Sequence, residues 1–301
     1  MKLALLTRNP KLYSTQRLVQ AAQALQHEIY LLDTLRCYLA INQKKPMVYY
    51  KGQALEQIDA IVPRIGASIS YYGIAVVRQF ELMGIYTLNT AQAINASRDK
   101  LLTAQLLTQQ GLNVPHSGFM HHQEDIKATA ELVGGAPLVI KLLEGTQGLG
   151  VILAEKQQLV ESVAEGLREV KAAILLQEFI AEAQGTDIRC IVLGQEVIAS
   201  MQRQAAKDEF RSNLHRGGQA SVVDLSAEEA ALAIQAAQAL GLDFAGVDLM
   251  RTRRGPAVLE VNSSPGLEGI EAVTGCQIAE RVIKFIEDRL ESRNTVIPYN
   301  S

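Results

Sequence analysis

The stretch EVNSSPGLEGIE, residues 260–271, begins in the second strand of a predicted β-hairpin that carries three oxygen-bearing side chains. The strands GVDLM and AVLEVN flank a turn centred on Arg254, and a ladder symmetric about that residue places Asp248 opposite Glu260. Asn262 is two residues beyond Glu260, so both side chains share one face of their strand. Two opposed carboxylates destabilise a sheet, and a bound cation would relieve that repulsion. Carboxylate and amide oxygens suit Mg²⁺ or Mn²⁺, with nucleotide phosphates and water completing the shell. A solvent-facing sheet edge is the alternative interpretation.

A glycine-rich loop between two apolar strands is the second candidate site. Its sequence, KLLEGTQGLG, starts at Lys141 and contains Gly145, Gly148 and Gly150. Glycines let backbone N–H groups close around phosphate oxygens, and a lysine supplies a point charge beside them. The lysine precedes the glycines and no Gly-Lys-Ser/Thr follows, so the loop is not a Walker A motif. A flexible hairpin loop is the alternative interpretation.

A basic segment, FRSNLHRGG at residues 210–218, is the third candidate. The basic residues in and just before it are Arg203, Lys207, Arg211, His215 and Arg216. Such a cluster can neutralise a triphosphate or a carboxylate, and the amide of Asn213 can orient a phosphate or a metal-bound water. A solvated run of charges is the alternative.

Two acidic residues lie where they can contact a nucleoside. Glu178, in QEFI at the end of an apolar strand, can accept a hydrogen bond from an adenine amine, and Asp187 can bond to a ribose hydroxyl. Taken alone, each is more readily interpreted as an ordinary strand-end carboxylate. His121 and His122 do not have the spacing that places two imidazoles on one helix face, so we predict a surface loop there rather than a metal site.

The composition excludes several classes of protein. The 301 residues carry a net charge of −3, too balanced for a general nucleic-acid coat. Cys37, Cys190 and Cys276 form no CxxC pair and no zinc spacing, which favours buried thiols in a reducing, cytoplasmic compartment. No apolar run reaches the roughly 20 residues that span a bilayer, and MKLALLTRNP is read as a first strand rather than a signal peptide. No GxSxG motif supports serine hydrolase chemistry.

The order of the elements predicts two kinds of architecture. The first ninety or so residues alternate strand and helix, with Ser14 as the N-cap of the first helix, which predicts an α/β unit with a parallel sheet. No GxGxxG follows the first strand, so a conventional NAD site, and with it an NAD-dependent oxidoreductase, is disfavoured. A long helix is predicted from about Ala91 to Gln110, ending at Gly111. Beyond it, short strands and tight turns predict an α+β half, with a capping box at Ser226 and Glu229.

These motifs together resemble the ATP-grasp superfamily, and EVNSSPGLEGIE resembles its closing metal loop. Block by block, the chain is similar to the RimK family from Met1 to about Glu287. The segments that carry this resemblance are PRIGASISYYG, RDKLLTAQLLTQQG, KLLEGTQGLGV, QEFIAEAQGTDIRC, FRSNLHRGG and AGVDLMR. The resemblance implies an ATP-grasp fold preceded by an N-terminal Rossmann-like parallel-sheet domain. We expect this pre-ATP-grasp domain at 1–95, a central subdomain with the glycine-rich loop at 96–180, and a C-terminal subdomain with the metal site at 181–301.

The resemblance also implies the parts of a nucleotide site. The matching nucleotide-binding positions are Lys100, Lys141, Gly145, Gly148, Gly150, Glu178, Phe179, Asp187, Arg211, Ser212 and Asn213. Among them, Lys141 would contact the α- and β-phosphates, and Lys100 resembles a second nucleotide lysine. Glu178 and Phe179 would meet the adenine, and Asp187 the ribose. Residues 211–213 would meet the phosphates.

Metal, catalytic and acceptor positions follow from the same resemblance. Asp248, Glu260 and Asn262 would hold two Mg²⁺ or Mn²⁺ ions, with Glu260 bridging them. The catalytic candidates that would stabilise a tetrahedral oxyanion are Arg203, Arg211 and Arg216. Arg64 and Gly66 would shape the acceptor site.

Members of the RimK family are α-L-glutamate ligases that add glutamate to the C-terminus of a ribosomal small-subunit protein. The resemblance therefore implies ATP-dependent ligation through an acylphosphate, in a cytoplasmic, self-associating enzyme that binds neither DNA nor membrane. Free glutamate as the acceptor would give poly-glutamate instead. Ligation of another amino acid or peptide, and a nucleotide-binding module without ligase activity, remain the alternatives.

Overall fold

The computed structural model describes residues 1–42, 45–143, 150–169, 173–207, 209–214 and 217–295. In chain order the strands are β1 (Lys2–Leu6), β2 (Glu28–Leu32), β3 (Cys37–Ala40), β4 (Met47–Tyr50), β5 (Gln53–Ala54), β6 (Ala60–Pro63), β7 (Tyr86–Thr87), β8 (Ser117–Phe119), β9 (Leu138–Leu142), β10 (Val151–Ala154), β11 (Ile174–Glu178), β12 (Thr186–Leu193), β13 (Glu196–Gln204), β14 (Gln219–Val222), β15 (Phe244–Thr252) and β16 (Gly255–Asn262). The α-helices are α1 (Tyr13–Ala24), α2 (Ser70–Leu82), α3 (Ala91–Arg98), α4 (Lys100–Gln109), α5 (Ile126–Leu132), α6 (Gln157–Glu169), α7 (Ala227–Ala239), α8 (Glu268–Thr274) and α9 (Ile278–Thr295).

The N-terminal part contains the predicted parallel sheet, with strand order β2-β1-β6-β7. Alternate residues of β1 face opposite sides of the sheet. Leu3 and Leu5 pack with residues of α1 and α9, whereas Ala4 and Leu6 pack with residues of α2. Both faces are therefore covered, as a parallel sheet requires. A small antiparallel sheet, β3-β4-β5, lies between β2 and β6 in the sequence and was not predicted.

Two helix predictions are wrong in detail. Ser14 does not cap α1, which starts after Leu12; the Ser14 hydroxyl instead accepts a hydrogen bond from the Leu267 amide at 2.9 Å. The single helix predicted over 91–110 is two helices, α3 and α4. They are separated at Asp99, which leaves the helical backbone conformation and caps α4 by accepting from two amides at 3.0 Å.

Two antiparallel sheets form the rest of the molecule. The first has strand order β10-β9-β11-β8, and one of its faces packs with α5 and α6. The second has order β14-β13-β12-β15-β16, and α7, which begins with the predicted capping box at Ser226, packs against it.

The hairpin of β15 and β16 has a different turn from the predicted one, but it keeps the predicted pairing of Asp248 with Glu260. Thr252 pairs with Gly255, so the turn is tighter than a five-residue turn centred on Arg254. A β-bulge between Asp248 and Leu249 then shifts the register by one residue, and Asp248 still lies opposite Glu260.

Candidate active site

One face of the five-stranded antiparallel sheet carries five charged side chains, which we call the charged row. Arg203 on β13 lies opposite Asp187 on β12, and Arg189 on β12 lies opposite Asp248 on β15. Asp248 in turn lies opposite Glu260 on β16. Because opposed residues of an antiparallel pair share a face, as do residues two apart on one strand, all five side chains project from the same side.

Hydrogen bonds tie four of these five side chains together. Arg189 donates from Nε and Nη2 to the two oxygens of Asp248, both at 2.7 Å. Arg203 donates in the same two-pronged way to Asp187, at 2.7 and 2.6 Å. Its Nη2 also lies 2.9 Å from an oxygen of Asp248. Arg203 is therefore the link between the two carboxylates.

Burial makes this network strongly interdependent. Asp187, Arg203 and Asp248 are at most 4% exposed. Burial alone would lower the pKa of Arg203, but the charges of Asp248 and Asp187 raise it above its ordinary value. Burial alone would likewise raise the pKa of Asp248, and the two arginines lower it. Arg203 is thus fixed as a cation and is committed to carboxylates. Its predicted contact with a reacting oxyanion stays a prediction.

The predicted metal ligands differ in their surroundings. Asp248 is buried and paired with arginines, Asn262 is half-buried, and Glu260 is exposed. The repulsion expected between Asp248 and Glu260 is offset on one side by Arg189 and Arg203. In the described ranges, no three His, Cys, Asp or Glu side chains converge. A metal held here would depend on the Asn262 amide and on oxygens from a substrate, and this all-oxygen donor set fits Mg²⁺ or Mn²⁺.

The two predicted nucleotide lysines lie on the Glu260 side of the site. Lys100 donates from Nζ to the Leu143 carbonyl at 3.0 Å, next to the start of the glycine-rich loop. Burial lowers the pKa of Lys100, and it lowers that of Lys141 to about 8. Glu260 acts in the opposite direction on both, which shows that its charge lies close enough to favour the two cations.

The loop at residues 209–214 is anchored to the charged row. The Ser212 hydroxyl donates to Asp187 at 2.5 Å, so this predicted phosphate ligand is buried with the ribose candidate. Arg211 donates from Nε and Nη2 to the Glu209 carboxylate at 2.9 and 2.8 Å. These hydrogen bonds lower the pKa of Glu209 to about 2. Asn213 is half-buried on the same loop.

The backbone close to this loop leaves no room for a larger residue. A Cβ added to Gly218 would meet the Ser212, Gln204 and Asn213 carbonyls at 2.9 to 3.1 Å. Glycine at 218 therefore lets the loop close onto β13.

The predicted adenine contacts lie at the end of β11. One oxygen of Glu178 accepts from the His116 amide at 2.8 Å, and the carboxylate also pairs with Arg254. Burial alone would raise the pKa of Glu178, but these hydrogen bonds lower it. Phe179 packs edge-on against Phe210, with ring centroids 6.4 Å apart. The two rings join the end of β11 to the loop that carries Arg211.

Several predicted residues fall outside the described part of the chain. These are Gly145, Gly148, His215 and Arg216. Gly150 is described; its φ is +74° and an added Cβ would lie 2.5 Å from the Leu142 side chain, so glycine is required at the end of that loop.

Two arginines of the site were missed in the sequence. Arg189 is two residues beyond Asp187 on an apolar strand, and that spacing is the signal that could have placed it on the same face. Arg98, directly before the Asp99–Lys100 pair, donates to the Ile65 carbonyl. Arg64 donates from Nη2 to the Pro265 carbonyl at 2.7 Å, so the predicted acceptor residue reaches the 263–266 segment that follows Asn262.

Most of the remaining candidates agree with the interpretation that gives them no chemical role. Cys276 is the exception to the expected burial of the thiols: it follows the end of α8 and is only half-buried. His121 and His122 are exposed, with their rings edge-on at 5.4 Å. Cys37 and Cys190 are buried free thiols, and burial raises the pKa of each to about 12. Among the helices described, none is long and apolar enough to cross a bilayer.

Comparison with known proteins covers nearly the whole chain. The RimK PreATP-grasp domain matches residues 1–94, and the RimK-like ATP-grasp domain matches residues 97–286. A protein of Hahella chejuensis named "Probable alpha-L-glutamate ligase 1" is 56% identical over 293 residues, which is 97% of each chain.

Solved structures share the fold. The ATP-grasp ligase PsnB, complexed with a minimal precursor, superposes with a TM-score of 0.76 at 20% identity, covering 96% of this chain and 98% of PsnB. A second PsnB structure, with a phosphomimetic precursor variant, Mg and ADP, gives a TM-score of 0.73 at 21% identity over the same shares of the two chains. The parallel N-terminal sheet, the two antiparallel sheets and the family matches lead to one conclusion. The chain belongs to the RimK family of ATP-grasp proteins and is an ATP-dependent ligase.

Proposed function

We propose that this ligase joins L-glutamate to the C-terminal carboxylate of a ribosomal small-subunit protein. The observation that carries the glutamate assignment is the 56% identity, over 97% of both chains, to a relative named as a probable α-L-glutamate ligase. The ribosomal acceptor rests on the family resemblance of the sequence motifs. The donor and the acceptor therefore rest on different observations and need separate tests.

The proposed reaction has two steps. An oxygen of the acceptor carboxylate attacks the γ-phosphorus of ATP, the bond to ADP breaks, and an acylphosphate forms. The amine nitrogen of glutamate then attacks the acyl carbon, phosphate leaves, and the nitrogen loses a proton as the amide forms. No enzyme nucleophile is needed, because the phosphate is the leaving group.

The residues of the site support the first step through charge and position. Lys100 and Lys141 are proposed to hold the phosphates, and Glu178, Phe179 and Asp187 the nucleoside. Arg211 and Asn213 would add contacts to the phosphates, with Ser212 fixing their loop against Asp187. Asp248, Glu260 and Asn262 would hold Mg²⁺ or Mn²⁺, which neutralises the charge that develops during phosphoryl transfer.

The arginine network supports this site by fixing the direction of its carboxylates. Arg189 and Arg203 hold the two oxygens of Asp248 by hydrogen bonds, which fixes the directions of the lone pairs left for an ion. Metal ligands are commonly oriented by such hydrogen bonds.

The test is ADP release with ATP, Mg²⁺ and L-glutamate, with and without the ribosomal acceptor, followed by mass spectrometry of that acceptor. Added glutamyl masses at its C-terminus support the full proposal. Glutamate-dependent ADP release without acceptor points to poly-glutamate synthesis, and no glutamate-dependent release with any acceptor overturns the glutamate assignment. Hydroxylamine supplied in place of glutamate should trap the acylphosphate as an acceptor hydroxamate; failure to trap it from an active enzyme would contradict the two-step mechanism.

A further inference from the structure

Two arginines meet where the N-terminal sheet contacts the segment after β16. Arg64 follows β6 and binds the Pro265 carbonyl through Nη2 at 2.7 Å. Arg98 ends α3 and donates to the carbonyl of Ile65, the residue next to Arg64. The two guanidinium groups are therefore brought together by backbone contacts from both parts of the molecule.

The charges of this pair have no carboxylate partner in the described part of the chain. Nη1 of Arg64 and Nε of Arg98 are buried and make no hydrogen bond. Burial and the charge of Arg98 lower the pKa of Arg64 to about 10, and burial also lowers the pKa of Arg98. Glu260, whose charge raises the pKa of Arg98, makes no ion pair with it in the described structure. Arg189 and Arg203 differ from this pair, because the guanidinium group of each donates to an aspartate carboxylate.

Keeping two such cations side by side destabilises the folded protein. A buried charge is unfavourable unless it is paired, and like charges add repulsion. Arg64 and Arg98 each keep one unpaired donor, and the charge of Arg98 acts on Arg64. Guanidinium donors match the oxygens of a carboxylate. A substrate carboxylate would therefore supply both the missing counter-charge and the missing acceptors.

The position of the pair selects which substrate that is. Arg98 is two residues before Lys100, and the charge of Glu260 acts on Arg98, Lys100 and Lys141 alike. The pair thus flanks the proposed phosphate and metal region on the side of the N-terminal domain. The acceptor's reacting carboxylate loses its negative charge on becoming an acyl group, so a double-arginine clamp on it would lose its partner midway through the reaction. Glutamate reacts through nitrogen, and both of its carboxylates stay charged throughout.

Building on the proposed function, we infer that Arg64 and Arg98 together bind a carboxylate of the incoming amino acid and so select glutamate over its amides. This places Arg64 at the amino-acid site rather than at the acceptor site that the family resemblance implied, and neither arginine contacts ATP in this proposal. Loss of one arginine should raise the KM for glutamate while leaving the KM for ATP within about twofold of the parent enzyme.

The decisive experiment removes the carboxylate and the arginine in turn. The full-length enzyme and its Arg98→Met and Arg64→Lys variants are assayed with glutamate, glutamine and the α-amide of glutamate. The parent should prefer glutamate over at least one amide by tenfold or more, since a site built for a charged group discriminates against a neutral analogue. In the variants that preference should fall by about tenfold. The ratio is measured within each preparation, so a partly unfolded variant does not distort it.

The control is a variant of an exposed arginine in the same domain. Arg78, exposed on α2 of the same domain, is replaced by Met and should keep the parent's preference. If the parent uses glutamate but both variants keep its preference over both amides, the inference is overturned and the proposed function stands. A rise in the KM for the acceptor, with the glutamate preference intact, also overturns it. If the parent does not use glutamate at all, the proposed function is what has failed.

Discussion

Arg189 and Asp248 lie directly opposite each other on β12 and β15, and the guanidinium group of Arg189 covers both carboxylate oxygens at 2.7 Å. An aspartate with both oxygens engaged cannot rotate freely, so its remaining lone pairs point in fixed directions. Arg203 engages the same carboxylate from β13 and thereby ties it to Asp187. The proposed metal and ribose contacts are in this way parts of one rigid network.

Replacing Arg189 with Lys should weaken metal binding without unfolding the protein. A lysine keeps the positive charge but cannot bond both oxygens in one plane. Loss of such an orienting partner typically costs 10- to 100-fold in metal affinity or activity. The measurement is the Mg²⁺ dependence of glutamate-dependent ADP release. Arg281→Lys, on an exposed ion pair with Glu196, is the control; an unchanged Mg²⁺ dependence in Arg189→Lys would contradict the positioning role.

Replacing Glu260 with Gln should nearly abolish turnover and leave the fold intact. The side chain is exposed, but its charge favours the buried cations Lys100 and Lys141, so its loss should lower the free energy of unfolding by about 1 kcal/mol. The same change removes the proposed bridging carboxylate of the metal site. Thermal unfolding and ADP release are measured on the same preparation, with Glu196→Gln as the exposed control. Full activity in the Glu260 variant would refute the metal role.

The rate at limiting ATP should fall as the pH rises through about 8. Burial holds the pKa of Lys141 at about 8, so this side chain is a cation below that pH and neutral above it. A neutral amine no longer attracts phosphate. In the Lys141→Arg variant, the guanidinium stays charged and the falling limb of kcat/KM for ATP should move to higher pH. A limb that stays near pH 8 in this variant would assign the titration to another group.

Replacing Asp99 with Ala should destabilise the protein by about 1 kcal/mol, the usual loss when an N-cap is removed. Asp99 caps α4 through two amides, and Lys100 is the first residue of that helix. We therefore expect a higher KM for ATP along with the lower melting temperature. Ser226→Ala removes the cap of α7, a helix that carries no predicted nucleotide residue, and should lower stability while leaving the KM for ATP unchanged. Equal effects of both variants on KM would contradict the local explanation.

The strands were the part of the fold most accessible from sequence. Short apolar runs such as KLALL in β1 are local patterns, and a local pattern is enough to predict a strand. The pairing of Asp248 with Glu260 was predicted correctly although the turn was not. The tighter turn shifts the pairing by one residue, and the β-bulge shifts it back by one residue. Only the folded hairpin reveals that compensation.

Helix ends and charge partners were much less accessible. The break at Asp99 arises because its side chain caps α4 instead of continuing α3. A continuous helix and two capped helices both fit the same spacing of apolar residues, so the sequence does not distinguish them. The role of Arg189 could not be predicted because its partner, Asp248, is 59 residues away in the sequence. Arg64 was noticed through the family resemblance, but its pairing with Arg98 depends on two backbone carbonyls that no motif records.

Among the residues that the structure describes, the largest apolar cluster crosses the boundary between the two matched family domains. It combines Leu3 and Leu5 of β1 with Ile270 of α8 and Ile283 of α9, whereas the sheet that carries Lys141 has a cluster of its own. Dividing the chain near residue 95 would expose the apolar side chains of this cluster on both fragments. We therefore expect neither fragment to stay monomeric when it is expressed alone. By the same reasoning, the N-terminal and C-terminal sheets should melt together as one calorimetric transition, with the Lys141 sheet free to melt separately. The two domains that sequence comparison separates therefore share an apolar core and should unfold in part as one cooperative unit.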